Sequence, residues 1–187
     1  PEAGINPLPP FSDATFTPNN GVDVWIGSTG LITLGLLMIS IDLLATLHNL
    51  RAPGMAWRRA PIFTWAGAIV TWLFAVIAPI FLAAVTMLLI DRIYNGGFFS
   101  GSEGGSPILW QHFSNIFFTG VYMIISISFL AAIAEVVQTA TGRQVHRKAF
   151  IWSLVAIAIV GTLAWTQNMM TAPIGSGWKY YGMLMSL

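Results

Sequence analysis

Apolar residues crowd into four runs, at 24–47, 61–90, 108–137 and 149–170, separated by shorter polar stretches that hold most of the charge. Each run meets or exceeds the roughly 20 apolar residues that a helix needs to cross about 30 Å of hydrocarbon. The pattern predicts an all-α integral membrane protein with about four transmembrane helices. The second and third runs are long enough that their helices must tilt or project, since a helix rises about 1.5 Å per residue. Ahead of them, residues 1–22 carry five prolines among Asn, Asp and Gly with no periodicity, which reads as an extended aqueous segment lying against the rest. Residues 23–187 then form the helical domain, and 180–187 is where a fifth span could begin.

Composition agrees. Of 187 residues, 56% are hydrophobic and 8% charged, against roughly a quarter charged in a soluble domain. No cysteine is present, so neither disulfides nor thiolate metal ligands are available. A net charge of +1 excludes a nucleic-acid footprint. The chain opens on Pro1 with no leader pattern, so its start is read as processed or internal to a longer chain.

Basic residues set the expected orientation. Arg51, Arg58 and Arg59 fall in loop 48–60 and Arg143, Arg147 and Lys148 at loop 138–148, whereas loop 91–107 has Arg92 beside Asp91 and Glu103. Loops 48–60 and 138–148 are therefore expected on the cytoplasmic side. The N-terminal segment (Glu2, Asp13, Asp23) and loop 91–107 are expected outside. Trp25, Trp57, Trp65, Trp110 and Trp178 fall near predicted span ends, as interfacial aromatics do.

The most informative stretch is 88–112, LLIDRIYNGGFFSGSEGGSPILWQH. Its Asp91-Arg92, Asn95, Phe98-Phe99, Gly104-Gly105, Pro107-Ile108-Leu109 and Gln111-His112 follow Pro79 and Thr86-Met87-Leu88-Leu89. Upstream stand Val22-Asp23, Asn49-Leu50-Arg51-Ala52-Pro53-Gly54-Met55 and Pro61-Ile62-Phe63-Thr64-Trp65-Ala66. In order and spacing these blocks resemble the middle of subunit I of heme-copper cytochrome c oxidases. By that resemblance the spans correspond to helices four to seven of the family's twelve, and the topology it implies matches the one read from charge.

The resemblance fails where the family keeps its chemistry. There, the helix after the Gln-His pair carries His-Pro-Glu-Val-Tyr, with a copper-binding His, a proton-delivering Glu and a Tyr coupled to oxygen reduction. Aligned without a gap from Gln111, those three positions are Thr119, Val121 and Met123; one deletion would bring Tyr122 onto the tyrosine instead. The family's paired His-His after a Trp reads Gln167-Asn168 after Trp165-Thr166. Hydroxyl and amide groups are poor substitutes for imidazole at copper. The resemblance therefore implies a degenerate member whose own chain binds no cofactor, with heme or copper only in partner subunits.

Thr119, Tyr122, Gln167 and Asn168 are then expected to face one another in a former metal pocket, either as a hydrogen-bonded plug or as a pocket for a lipid or quinone. His112 is read as an interfacial hydrogen-bonding residue, and His48 and His146 as loop residues beside basic side chains. Asp42 and Glu135 lie near cytoplasmic span ends, too few for a proton pathway. Arg51, Arg58, Arg59, Arg143, Arg147 and Lys148 set topology and are candidate contacts for anionic lipid or a partner. Gly27, Gly30 and Gly35, and the row Ala149, Ser153, Ala156 and Ala164, offer close helix packing.

These readings converge on a non-catalytic structural or accessory subunit of a larger respiratory or other membrane oxidoreductase complex. Its expected partners are other membrane subunits and phospholipids, with a bacterial cytoplasmic membrane favoured over an organellar inner membrane. The alternatives are one piece of a split heme-copper oxidase completed by another chain, or a lipid- or quinone-binding membrane subunit. A channel would need a polar stripe or further in-membrane acids that the sequence lacks.

Overall fold

The computed structural model describes residues 8–9, 11–51, 54–143 and 145–185. The expectations for Glu2 and residues 1–7, for Ala52-Pro53 and for Leu187 lie outside the described residues. Five helices follow one another: α1 Gly21–Asn49, α2 Ile62–Tyr94, α3 Pro107–Thr141, α4 Arg147–Leu163 and α5 Ser176–Met185. A 3₁₀ turn at Gly101–Glu103 interrupts the α2–α3 loop, and a 3₁₀ segment, Ala164–Met169, continues α4. Four helical stretches, α1, α2, α3 and Arg147–Met169, are long and apolar enough to cross a membrane. The chain is thus an all-α integral membrane protein.

α1, α2 and α3 run past the ends of their apolar runs, and α1, α3 and α4 begin ahead of theirs, because polar residues such as Asp23, Arg92 and Arg147 continue the helix into the interface. The fourth differs more. Its last six residues are 3₁₀ rather than α, so Trp165 to Asn168 project at a tighter pitch than an α-helix would give. Helix ends carry recognisable signals: Pro107 opens α3 at a position where a missing N–H costs nothing. Asn95 (φ 52°) and Gly142 (φ 67°) close α2 and α3 in the left-handed conformation.

The bundle is organised on α2, which packs against α1, α3 and α4. In its most apolar window 39% of positions are buried, against 11% in α1, so α2 is the interior helix and α1 is largely exposed. Phe81 stacks on Phe117 of α3 at 4.1 Å and 9°, and Phe74 meets the same ring edge-on. Ile77 fills the space beside Gly120, where a Cβ would lie 2.6 Å from its Cδ1. A second cluster joins Ile62 and Ala66 of α2, Ile127 and Ala131 of α3, and Leu154 and Ala158 of α4. Hydroxyls inside the spans bond back to carbonyls one turn earlier, as Ser114 does to Trp110 and Thr71 to Gly67, each at 2.8 Å. That satisfies them where water is excluded.

Three packing expectations are corrected. Trp110 is fully buried against Phe81 and Phe99, because the loop after α2 folds Phe99 over it, so it is a core residue and not an interfacial one. Of the row Ala149, Ser153, Ala156 and Ala164, the first three are exposed and Ala164 is buried; the packed face of α4 carries Leu154, Ala158 and Gly161. Of Gly27, Gly30 and Gly35, Gly30 alone meets a neighbour, Val85 at 3.6 Å.

The N-terminal segment is tied down through Arg92. This guanidinium, at the end of α2, pairs with Asp23 of α1 and donates to the carbonyls of Ser12 (2.8 Å) and Asn19 (2.7 Å). One buried cation thereby joins three parts of the chain.

Candidate functional site

Thr119 lies on the inner side of α3 with 2% of its surface exposed. The 3₁₀ segment after α4 brings Asn168 to it, and Asn168 Nδ2 donates to Thr119 Oγ1 at 3.3 Å. Two of the four residues expected to line the former metal pocket therefore meet directly. Gln167, next to Asn168 in the chain, is half-buried, and Asn168 itself is exposed. Tyr122 is 62% exposed and is not brought to the site. The helix explains why: at about 100° per residue, Tyr122 falls outside the arc of α3 that faces α2 and α4. Met123 falls inside it and packs on Gly161. The ungapped register, which puts Met123 at the family's tyrosine position, is the one that faces inward.

The donor set does not fit copper. It consists of a hydroxyl and two amides, and Thr119 Oγ1 already accepts the Asn168 amide. Copper centres of this kind want imidazole nitrogen. Among the described residues no group of three His, Asp or Glu side chains gathers elsewhere. Thr166, fully buried with no partner for Oγ1, faces Gly182 of α5 rather than the Thr119–Asn168 pair. Below that pair, Gln111, Ser114, Asn115, Asn168 and Thr171 line a polar hollow of about 400 Å³.

His112 has a partner that sequence reasoning missed. Trp165 Nε1 donates to its Nδ1 at 3.1 Å, and Trp178 lies edge-on to the ring at 6.1 Å. Tyr181 closes this aromatic group, 6.2 Å from Trp165, and its hydroxyl donates to the Leu163 carbonyl at 2.9 Å. The cluster fastens the 3₁₀ segment and α5 to α3, and so holds Asn168 in place. Trp178, noted as interfacial, was the sequence signal for it.

The basic residues separate into fixed and free. Arg51 lies over the Trp57 ring at 4.9 Å, and Arg147 donates to the carbonyls of Ala60 and Trp57. Arg58, Arg59, Arg143 and Lys148 are exposed. His48 bonds the Leu44 carbonyl at 2.8 Å and sits by Trp57 and Trp72; His146 caps α4 by accepting from Ala149 N–H. Asp42 is exposed on α1 and Glu135 half-buried on α3.

If the Thr119–Asn168 contact holds the α3–α4 junction, Thr119→Val with Asn168→Leu should show a coupling of about 0.6 to 1.7 kcal/mol in a double-mutant cycle read by unfolding in detergent. Additive losses would show that the contact contributes nothing.

The fold defines a helical membrane protein of four spans, with a polar junction between α3 and the segment that follows α4. All of residues 1–187 match the family model of cytochrome c and quinol oxidase polypeptide I. Cytochrome bo(3) ubiquinol oxidase subunit 1 of Buchnera aphidicola is 28% identical over 94% of this chain and 27% of its own length. Cytochrome c oxidase subunit 1 of Cereibacter sphaeroides is 30% identical, over 96% and 31% respectively, and that of Eremothecium gossypii 30%, over 95% and 34%. The chain belongs to the heme-copper oxidase subunit I family, and it spans about a third or less of the length of these relatives.

Proposed function

We propose that this chain is a structural, non-catalytic element, resembling subunit I, of a larger membrane oxidoreductase complex, and that it coordinates no copper of its own. One observation carries the reading: the Asn168 amide and the Thr119 hydroxyl satisfy each other at 3.3 Å, where the family resemblance calls for imidazoles. The related subunits come from oxidases, which supports other membrane subunits as partners. The largely exposed apolar surface of α1 offers them a place to pack. Heme or copper then belongs to those partners, in a bacterial cytoplasmic membrane, with the end bearing Arg58 and Lys148 toward the cytoplasm.

The test is metal analysis of the purified complex containing this chain, beside the same complex with Thr119→Val and Asn168→Leu. The reading expects copper content to be the same in both. Stoichiometric copper that disappears with Asn168→Leu would overturn it and favour the split-oxidase alternative. Because the chain has no cysteine, single cysteines at Gly54 and Ser102 report orientation cleanly: labelling of Gly54→Cys from outside intact cells would reverse the proposed topology.

A second reading rests on the polar hollow bounded by Gln111, Ser114, Asn115 and Thr171. Its convergent amides and hydroxyls suit a small hydrophilic ligand better than a quinone or lipid tail.

A further inference from the structure

At the end of the bundle opposite Arg92, a furrow of about 670 Å³ runs along the outside of the α2–α4 contact. Its floor is made by two small buried residues, Ala68 and Ala158, each 6% exposed. Trp72 and Val76 of α2 and Ile159 and Leu163 of α4 form its walls. Toward the helix ends it opens into a second hollow of about 560 Å³, because Trp57, Trp65 and Val155 line both. Arg58, Arg147 and Lys148 rim that second hollow together with Trp152.

The mouth is built and its charge is uncompensated. Trp65 Nε1 donates to the Trp57 carbonyl at 2.9 Å and the two rings lie 4.8 Å apart. Arg147 is held by the Ala60 and Trp57 carbonyls, which fixes the start of α4 against the loop. No carboxylate lines either hollow, and among the described residues the ion pair present is Arg92–Asp23, at the far end. Arg58 and Lys148 thus present positive charge beside tryptophans, the composition of a headgroup-level site.

Length identifies the occupant. Trp65 to Val76 is eleven residues along α2, about 16 Å of helix, which is half of the roughly 30 Å hydrocarbon thickness. The furrow therefore runs from the headgroup level to the bilayer midplane, the depth of one leaflet. A partner helix seated there would bring its own apolar face to the lower part but would leave the cationic mouth without a counter-charge.

We propose that this furrow binds one anionic phospholipid, its phosphate held by Arg58 and Lys148 and one acyl chain laid between α2 and α4 as far as Val76 and Leu163. Binding is charge-selective at the mouth and shape-selective below it. Arg147, committed to backbone carbonyls, positions the mouth rather than the phosphate.

The purified complex containing this chain, exchanged into nanodiscs of phosphatidylcholine and phosphatidylglycerol, is read by native mass spectrometry for retained lipid. The expected result is one phosphatidylglycerol retained per copy of this chain against excess phosphatidylcholine. Retention should fall at least about tenfold in Arg58→Glu/Lys148→Glu, because reversing two exposed positive charges at the mouth turns attraction for an anionic headgroup into repulsion. Val76→Trp, at a site 59% exposed, should block the acyl path and lower retention without changing the thermal unfolding of the complex. Retention at the parent level in both variants, or no preference for phosphatidylglycerol, overturns the proposal. So does efficient cross-linking of an Ile159→Cys variant to another subunit, which would place protein in the furrow.

Discussion

Replacing Asp23 with alanine is expected to destabilise the bundle by about 3 kcal/mol, read as unfolding of the detergent-solubilised complex. The reason lies in what is left behind. Arg92 has a side chain only 4% exposed, and Asp23 is its sole carboxylate partner among the described residues, through Nε and through Nη2 at 3.2 Å. Removing one member of a buried pair strands the other charge, at about 3–5 kcal/mol. The lower end applies because Asp23 is itself 38% exposed and two carbonyls, of Ser12 and Asn19, continue to accept from the guanidinium. Asp23→Asn keeps an acceptor and should cost less. Arg92→Met removes the buried charge, leaving a carboxylate that water can reach, and should rescue part of the Asp23→Ala loss when the two are combined. Asp23→Ala within about 0.5 kcal/mol of the parent chain would show that the carbonyls alone hold Arg92.

This ion pair also marks how far the sequence could be read. Val22-Asp23 and Asp91-Arg92 are visible as parts of a family pattern, and the four spans are visible because lipid demands long uninterrupted apolar helices. The pairing of Asp23 with Arg92 is not visible, since the residues lie 69 apart and nothing local specifies which acid meets which base. The same limit governs the candidate site. Thr119 and Asn168 could be set together by resemblance, and they do touch. Tyr122 could not be excluded from sequence because a one-residue gap turns a helix by about 100°; only the packed register decides for Met123.

Trp110 and Trp178 illustrate a second limit. A tryptophan near a span end reads as an interfacial anchor, but both make tertiary contacts, one with Phe81 and Phe99 and the other with His112 and Tyr181. The outcome depends on loops folding back over the helix ends. Those loops carry the family signature, so the features that were easiest to recognise are the ones that overrule the local reading of neighbouring residues.

Gly105→Ala tests that role of the 88–112 stretch most directly, with an expected loss of about 3 kcal/mol, at the upper end of what overpacking costs. A Cβ at Gly105 would lie 2.0 Å from the Gly97 carbonyl oxygen and 2.3 Å from that of Phe98. Both obstacles are backbone, and the backbone cannot retreat. The Asp91 carboxylate accepts the N–H groups of Phe98 and Phe99 at 2.8 Å each, Ser106 N–H donates to the Phe98 carbonyl at 3.0 Å, and Phe99 is 1% exposed against Trp110. Relaxing the clash would pull Phe99 from the core. Gly161→Ala is the control: its Cβ would come equally near Met123 Sδ, at 2.2 Å, but a methionine side chain can rotate away, and the loss should stay near 1 kcal/mol. Limited proteolysis of the 95–106 loop alongside thermal unfolding separates the two, since only Gly105→Ala should expose the loop. Equal effects from both glycines would mean that the loop yields, and that Gly105 is not required for the close approach of the loop's two arms.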